Sequence, residues 1–500
     1  MSELNDQMRA RLDKLEKIKA LGINPYPYSF QRTHTIGALQ EQFDALQQSG
    51  APVKICGRLI AFRRQGKTAF ANLKDATGRI QIYCRQDILG EKAYELFKLL
   101  DFGDFIGATG TAFVTQTGEK SLSLTGVEIL SKSIRPLPVP KEKVGPNGEK
   151  IIFDEFKDLE LRSRQRYLDL VLNAPSVAIF KKRTAIVQSV RKYLLDQDFF
   201  EVETPTLQAI YGGASARPFI TRHNTLDMDL YLRISNELYL KRLIVGGFER
   251  VFEFVKDFRN EGIDRIHNPE FTQVEFYQSY ADYNDMMVHF ENIYSQAAIA
   301  VNGTAKIIYE GREIDLTPPW ERLTMHDALK KHGNIDVVAL DDTQLRNALD
   351  HHHVKLDGPF VRGRAMAGLF ETLCEHKLID PVFITDHPLE TTPLCKRHRV
   401  NPALVERFEP YINGWEIGNA YSELNDPVLQ RELLNQQVER GRGGEAETHP
   451  MDDDFVRALE YGMPPTGGVG IGIDRMVMLL TDTQNIRDVI LFPLLKPDNA

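Results

Sequence analysis

At 500 residues, 42% of them hydrophobic and 26% charged, the chain is long enough for about three domains with buried cores, and it holds no apolar run near the roughly 18 residues a membrane helix needs. Its net charge of -9 argues against nucleic-acid binding by bulk charge, and four scattered cysteines (Cys56, Cys84, Cys374, Cys395) with no C-x-x-C pair exclude a disulfide framework or zinc knuckle. They read as reduced thiols of a cytoplasmic protein, and the opening stretch, with Glu3, Asp6, Asp13 and Glu16 and no apolar centre, reads as neither an export signal nor a transit peptide.

In chain order, residues 4 to 21 place Met8, Leu12, Leu15 and Leu21 at near-helical spacing among charges, which predicts a short amphipathic helix. From Val53 to Arg135 the pattern changes to short strands separated by Gly and Asp-Ala-Thr-Gly turns, and about five strands fit a small Greek-key barrel of OB type. This segment holds 13 Lys and Arg against 8 Asp and Glu, net +5, so the remainder carries -14. A weakly basic module is joined to an acidic body. Three prolines within Pro136–Pro140 and the Gly/Pro/Asn cluster after them mark a boundary: residues 1–140 form the N-terminal helix and barrel, 141–155 a linker, and 156–500 the second domain. There, Ser176 to Gln197 carries Ile179, Ile186, Val187, Val190, Tyr193 and Leu194 on one helical face, and FFEVETP follows as a strand stopped by Pro205. Two strand-like runs, FERVFEFVKDF and EFTQVEFY, flank a charged loop of about ten residues, long for a hairpin connection and hence a candidate ligand loop. Residues 283 to 380 read as a mostly helical insertion, with Thr324 as an N-cap.

Three constellations could carry chemistry. In the first, FRNEG (Phe258 to Gly262), His267 and HNPEFT lead to Phe271, Gln273, Glu275 and Tyr277, which strand alternation sends to one face, so that a carboxylate and a phenol project together toward a cationic ligand. Arg259 at the strand end offers a planar fork for a carboxylate or phosphate. An exposed ion-pair network is the competing reading. In the second, Asn413-Gly414 between apolar residues predicts a two-residue hairpin pairing Ile412 with Trp415 and Tyr411 with Glu416. Glu409 then shares a face with Glu416, within reach of one hard cation, and Mg2+ beside a polyphosphate would relieve their repulsion. Alternation sends Asn419, Tyr421 and Glu423 to the face opposite Glu416, so a bulge must intervene if all serve one pocket. The third, Gly467 to Leu480, is a Gly-rich strand entering a helix with Arg475 near its start. It has neither the spacing nor the Lys of a phosphate loop, and its glycines fit a base lying on the backbone. The run His351 to His353 reads as a solvated loop.

Together, and in this order after a barrel, these clusters resemble the class II lysyl-tRNA synthetases of bacterial type (class IIb) over nearly the whole chain. FRNEG…HNPEFT resembles motif 2, GIGIDRMVMLL motif 3, and the helix ending in FFEVETP the dimer-forming motif 1; RQRYLDL, GGASARPFIT, NELYLKRL, NGWEIGNAYSELND and IRDVILFP are also typical. The resemblance implies an α+β fold, an OB barrel followed by an antiparallel sheet flanked by helices with a helical insertion. It implies a cytoplasmic homodimer, joined through motif 1, that makes lysyl-adenylate from L-lysine and ATP and charges tRNA-Lys. Arg259 and Arg475 would be the catalytic clamps on the phosphates, with Glu261, His267 and Phe271 also binding ATP and Glu409 and Glu416 holding Mg2+. Gly213, Glu237, Glu275, Tyr277, Asn419, Glu423 and Gly472 would line the lysine pocket, Glu423 and Tyr277 at the ε-ammonium and Glu237 at the α-amino group. Phe70, Gln81 and Glu119 would meet the anticodon; for Phe70 the barrel core is the competing placement. One departure is that Ile266 stands where many bacterial members have Arg, with Arg265 displaced by one, which leaves open whether Arg265 reaches the triphosphate. A sibling enzyme for aspartate or asparagine, or an RNA-binding protein with a retired catalytic body, are the alternatives.

Overall fold

The computed structural model describes residues 5–138, 141–144, 150–153, 156–356, 358–442 and 448–497. The chain forms two compact units, Met1–Phe156 and Lys157–Ala500.

The first unit opens with a helix, Asp6–Ala20, capped by the Asn5 side chain. Its buried face is Met8, Arg11, Leu15 and Ile18, rotated from the expected stripe through Leu12 and Leu21. Arg11 can face inward because its guanidinium donates to the carbonyls of Ser133 and Phe102, both at 3.0 Å. Five strands close into a barrel: β1 (Val53–Gln65), β2 (Thr68–Lys74), β3 (Arg79–Arg85), β4 (Phe105–Val114) and β5 (Lys120–Ser131), in the order β1-β2-β3-β5-β4. Alternation along β2 buries Ala69, Ala71 and Leu73 and turns Thr68, Phe70 and Asn72 outward. After the prolines, Lys141–Val144 and Lys150–Phe153 pair as a short two-stranded hairpin within the stretch expected to be a plain linker, whose residues 145–149 and 154–155 lie outside the described set.

The second unit is built on a nine-stranded sheet: β6 (Phe200–Glu201), β7 (Arg250–Phe258), β8 (Glu270–Ser279), β9 (Glu321–Thr324), β10 (Val382–Pro388), β11 (Leu404–Ile412), β12 (Trp415–Glu416), β13 (Gly418–Ser422) and β14 (Thr466–Gly472). The order is β9-β10-β11-β13-β14-β8-β7-β6, with β12 paired to β11, and only the two edge pairs are parallel. Residues 283 to 380 are mainly helical, as their pattern predicts, but also supply β9 and a separate hairpin, Lys306–Tyr309 with Arg312–Asp315. One sheet face, with Val274, Phe276, Phe408, Ala420, Val469 and Ile471, is buried in a single core with helices Ala174–Asp196, Tyr283–Asn302 and Ile473–Leu480. Strand alternation leaves Gln273, Glu275, Tyr277, Arg407, Asn419 and Tyr421 on the opposite face.

Candidate active site

On that second face the pairing register makes a trough. Gly472, Gly470 and Gly468 of β14 lie opposite Gln273, Glu275 and Tyr277 of β8, while Asn419 and Tyr421 of β13 lie opposite Gly470 and Gly468. Directly opposed residues share a face, so the middle strand presents bare backbone between two walls of polar side chains. At Gly472 a Cβ would meet nothing nearer than 4.0 Å, and at Gly470 nothing nearer than 3.7 Å, so a side chain there would make ordinary contacts and fill the trough without a clash. Gly468 differs, since a Cβ there would collide with Glu423 Oε1 and the Tyr277 ring. It is there to let those two side chains pass.

The trough is the floor of a cavity of about 430 Å³ lined by Gly213, Glu237, Glu275, Tyr277, Asn419, Glu423 and Gly472 at one end, and by Arg259, Glu261, His267, Phe271, Glu416 and Arg475 toward the other. Glu275 and Tyr277 are 5% and 3% exposed, which rules out the reading of a surface ion-pair network. Glu275 Oε1 accepts from Ser235 Oγ at 3.0 Å and Gln273 Nε2 at 2.6 Å, and its Oε2 accepts from Tyr277 Oη at 3.1 Å. Burial, then Asp257 and Glu237, push the Glu275 carboxyl well above its ordinary range. Gly213 sits at φ +86°, where its Cβ would lie 2.8 Å from Ser235 Oγ, so only glycine fits beside this network.

Glu237 and Glu423 meet a residue that the sequence did not single out. Lys241, with no exposed side-chain surface, places Nζ 2.6 Å from Glu237 Oε1 and in contact with Glu423 Oε2. The second Glu237 oxygen accepts from Tyr421 Oη at 2.6 Å. Neither Glu423 oxygen has an aligned hydrogen bond, and burial followed by Glu237 push this carboxyl up to about 8 against the pull of Lys241. His449 also lines this end; burial and Lys241 push it down to about 4.

At the other end, the guanidinium of Arg259 lies 5.1 Å from the Phe271 ring centre, and its buried Nε has no partner. Arg475 donates to His267 Nε2 at 2.9 Å and to the Glu416 carbonyl, so the ring hydrogen of His267 is on Nδ1, facing Asp264 Oδ2 at 2.7 Å. Asp474, beside Arg475, accepts from Arg183 at 2.6 Å and from the Thr272 N–H at 2.7 Å, tying the helix start to β8. Ile266 lines the cavity and packs on the core, whereas Arg265 is exposed and does not line it.

The hairpin register is the predicted one, Tyr411 with Glu416 and Ile412 with Trp415, around Asn413 at φ 55° and Gly414 at φ 71°. Beyond it Arg407 pairs with Tyr421 and Phe408 with Ala420, a shift of one residue. The extra residue is Ile417, whose N–H donates to Pro410 O at 3.0 Å. This is the bulge the pocket requires, and it turns Glu416, Asn419, Tyr421 and Glu423 into one cavity. Glu409 lies behind the wall, accepting from Tyr411 Oη at 2.9 Å and from Arg407. Burial acts to raise the Glu409 carboxyl, but Arg407 holds it below its ordinary range, while burial and Glu409 raise Glu416. Glu416 lines the cavity 4.0 Å from Arg475, whereas Glu409 does not line it and is held by Arg407 and Tyr411, so a divalent ion shared by the two would have to draw Glu409 away from those partners. Among the described residues no group of three or more His, Cys, Asp and Glu is placed to hold a metal.

On the barrel, Phe70, Gln81 and Glu119 line one groove. Phe70 is outside the core, stacked on Tyr83 at 4.6 Å and 27°, and Tyr83 leans on Phe113 at 5.7 Å. Gln81 donates to Ser121 Oγ at 3.0 Å, and Glu119 sits in the exposed turn after β4. Tyr83 was legible by alternation from Gln81; Lys241 was legible only as the i,i+4 partner of Glu237; Phe113 had no signal beyond being aromatic.

A family model described as tRNA synthetases class II (D, K and N) matches residues 158–496, and one described as an OB-fold nucleic acid binding domain matches residues 53–130. A lysine–tRNA ligase of Clostridium novyi (strain NT) is 48% identical over 501 residues, covering 99% of this chain and 96% of that protein. One from Clostridium botulinum (strain Loch Maree / Type A3) is 48% identical over 500 residues, with 99% and 96% covered. One from Pelotomaculum thermopropionicum is 49% identical over 498 residues, with the same coverage.

Proposed function

The chain belongs to the class II tRNA synthetases (D, K and N), and from that membership we propose that it is a lysine–tRNA ligase, which joins L-lysine to ATP as lysyl-adenylate and passes lysine to the 3′ end of tRNA-Lys. The observation that carries the choice of amino acid is the gathering of Glu237, Glu275 and Glu423 with Tyr277 in one buried cavity that has Arg259 and Arg475 at its other end. A substrate with two ammonium groups and one carboxylate needs that arrangement. Aspartate would need a free cation among the acids, and the cation there, Lys241, is already held by two carboxylates.

In this reading Glu237 takes the α-ammonium, Glu423 and Tyr277 the side-chain ammonium, and Glu275 orders Tyr277 and Ser235 between them. Arg259 holds the lysine carboxylate against the α-phosphate, so that a carboxylate oxygen attacks phosphorus in line and pyrophosphate leaves, while Arg475, oriented by His267, takes the charge developing on the leaving group. Phe271 beneath Arg259 and the bare β14 backbone supply the faces for adenine, and Glu261 its polar edge. Glu416, with Glu409 once it leaves Arg407 and Tyr411, would hold Mg2+, which when bound there would neutralise phosphate charge. No residue forms a covalent intermediate; the ribose hydroxyl of tRNA takes the lysyl group from the adenylate. The anticodon stacks on Phe70, with Gln81 and Glu119 reading base edges.

We also propose a homodimer through the helix Ala174–Asp196 and β6. Leu195, just before the end of that helix, and Phe200, on the open edge strand, are 50 and 59% exposed, apolar surface that a second copy would cover. The cysteines described as free thiols, three of them buried, support a reducing compartment, the cytoplasm. The test is amino-acid-dependent ATP–pyrophosphate exchange: lysine should support it, and exchange with aspartate or asparagine in place of lysine overturns the proposal. Light scattering that returns a monomer at micromolar concentration overturns the dimer.

A further inference from the structure

Lys241 reaches into the amino-acid end of the cavity wall from the helix Glu237–Val245, one turn after Glu237. Its ammonium is fully buried and bridges Glu237 and Glu423, two of the carboxylates that the proposed function assigns to the substrate's ammonium groups. An isolated structural ion pair would use up its acid. Here one acid is left with capacity: Tyr421 occupies the second Glu237 oxygen, but Glu423 Oε1 points at Tyr277 and the bare backbone of Gly468 without a donor. A buried carboxylate oxygen with no donor, on a residue that lines the cavity, marks where a cation is to arrive.

The groups that face Lys241 come from every element around it. Glu237 is on its own helix, Tyr421 and Glu423 come from β13 and the turn after it, and Cys395 and His449 from the adjoining loops. Burial pushes Tyr421 and Cys395 well up and His449 down to about 4, so all three are neutral near pH 7. That leaves the two acids, Glu237 and Glu423, and one ammonium.

We propose that Lys241 is a positioning and specificity residue for the amino-acid substrate: its ammonium fixes Glu423 in place and lowers the cost of ionising it against the arriving side-chain ammonium, so that the pocket accepts a cationic side chain and no other. This rests on the reading of the chain as a lysine–tRNA ligase. Without Lys241, Glu423 loses the cation that opposes its burial, its carboxyl rises further above about 8, and releasing its proton to pair with the side-chain ammonium costs more at neutral pH. Because the defect is one of ionisation, it should lessen as pH rises.

The test uses the full-length protein and its K241Q and K241R variants in lysine-dependent ATP–pyrophosphate exchange from pH 6.5 to 8.5. K241Q should raise the lysine KM by about tenfold or more at pH 7, leave the ATP KM within about twofold, and recover as pH rises; K241R should keep the lysine KM within about threefold of the parent. A K241Q lysine KM within twofold of the parent, a defect that does not lessen with pH, or equal losses for lysine and ATP, overturns the inference. Should K241Q not purify as folded protein, K241R decides alone: a KM within threefold supports the inference and a tenfold rise overturns it. Failure of the parent protein to show lysine-dependent exchange refutes the functional reading itself, whatever the variants do.

Discussion

Replacing Phe70 with alanine should separate the two half-reactions. The ring is outside the barrel core and stacks on Tyr83 at 4.6 Å, so its loss removes one platform and leaves Tyr83 and Phe113 in contact. Stacking of a base on an aromatic side chain is worth about 1–3 kcal/mol by alanine substitution, which lowers kcat/KM for tRNA about 5- to 150-fold. The folded unit gives up mainly one aromatic pair, about 0.5–1.5 kcal/mol, because Ala69, Ala71 and Leu73, not Phe70, fill the core beneath. The cavity proposed for lysine activation lies in the other compact unit, so exchange without tRNA should be unchanged. The assay is therefore paired: aminoacylation of tRNA-Lys over a range of tRNA concentrations, and exchange in its absence. Phe70→Tyr should restore most of the loss, since a phenol stacks as a phenyl does. An unchanged tRNA kcat/KM in F70A would remove the barrel groove from anticodon recognition, and a parallel fall in exchange would show that Phe70 acts through the fold.

Arg259→Ala removes the guanidinium assigned to the reacting carboxylate and α-phosphate, so exchange should fall by at least about 10²-fold and lysine binding by calorimetry should weaken with it; near-parent exchange refutes the assignment. Glu423 is pushed up to about 8 by burial and Glu237, so near pH 7 most of it is protonated, and pairing with an ammonium must first release that proton. The sign follows: the parent lysine KM should fall about tenfold as pH rises from 7 toward 8.5 and then level, whereas E423Q should have a raised and pH-independent KM; a flat parent profile contradicts this. Gly468→Ala drives a Cβ into Glu423 and Tyr277, which should cost about 1–3 kcal/mol in thermal or denaturant unfolding and raise the lysine KM more than the ATP KM; an unaffected lysine KM would mean the trough can yield there.

What could be read from the sequence was the part of the site fixed by local rules. Asn413-Gly414 sets a hairpin register by turn geometry alone, and that register carries the relation of Glu409 to Glu416. Alternation along β8 places Glu275 and Tyr277 together without any tertiary information, and the conflict between Glu416 and Asn419 announced a bulge, found at Ile417. The rest depends on pairings between distant segments. Lys241 follows Glu237 by one turn, and on an exposed helix such a pair is worth only about 0.3–0.5 kcal/mol and has no function. It becomes a feature of the pocket because β13 brings Glu423 and Tyr421 from about 180 residues further along the chain. Arg11 shows the same limit in the first unit: as a charge it belongs on the exposed face of its helix, and only the carbonyls of Phe102 and Ser133 reverse that choice. Gly468 has the same cause, since the sequence marks a glycine-rich strand but not which glycine opens onto a ligand and which makes room for side chains. That difference is set by Tyr277 lying opposite it in β8 and by Glu423 entering past β13, and such pairings between distant segments are what a linear reading is least able to find.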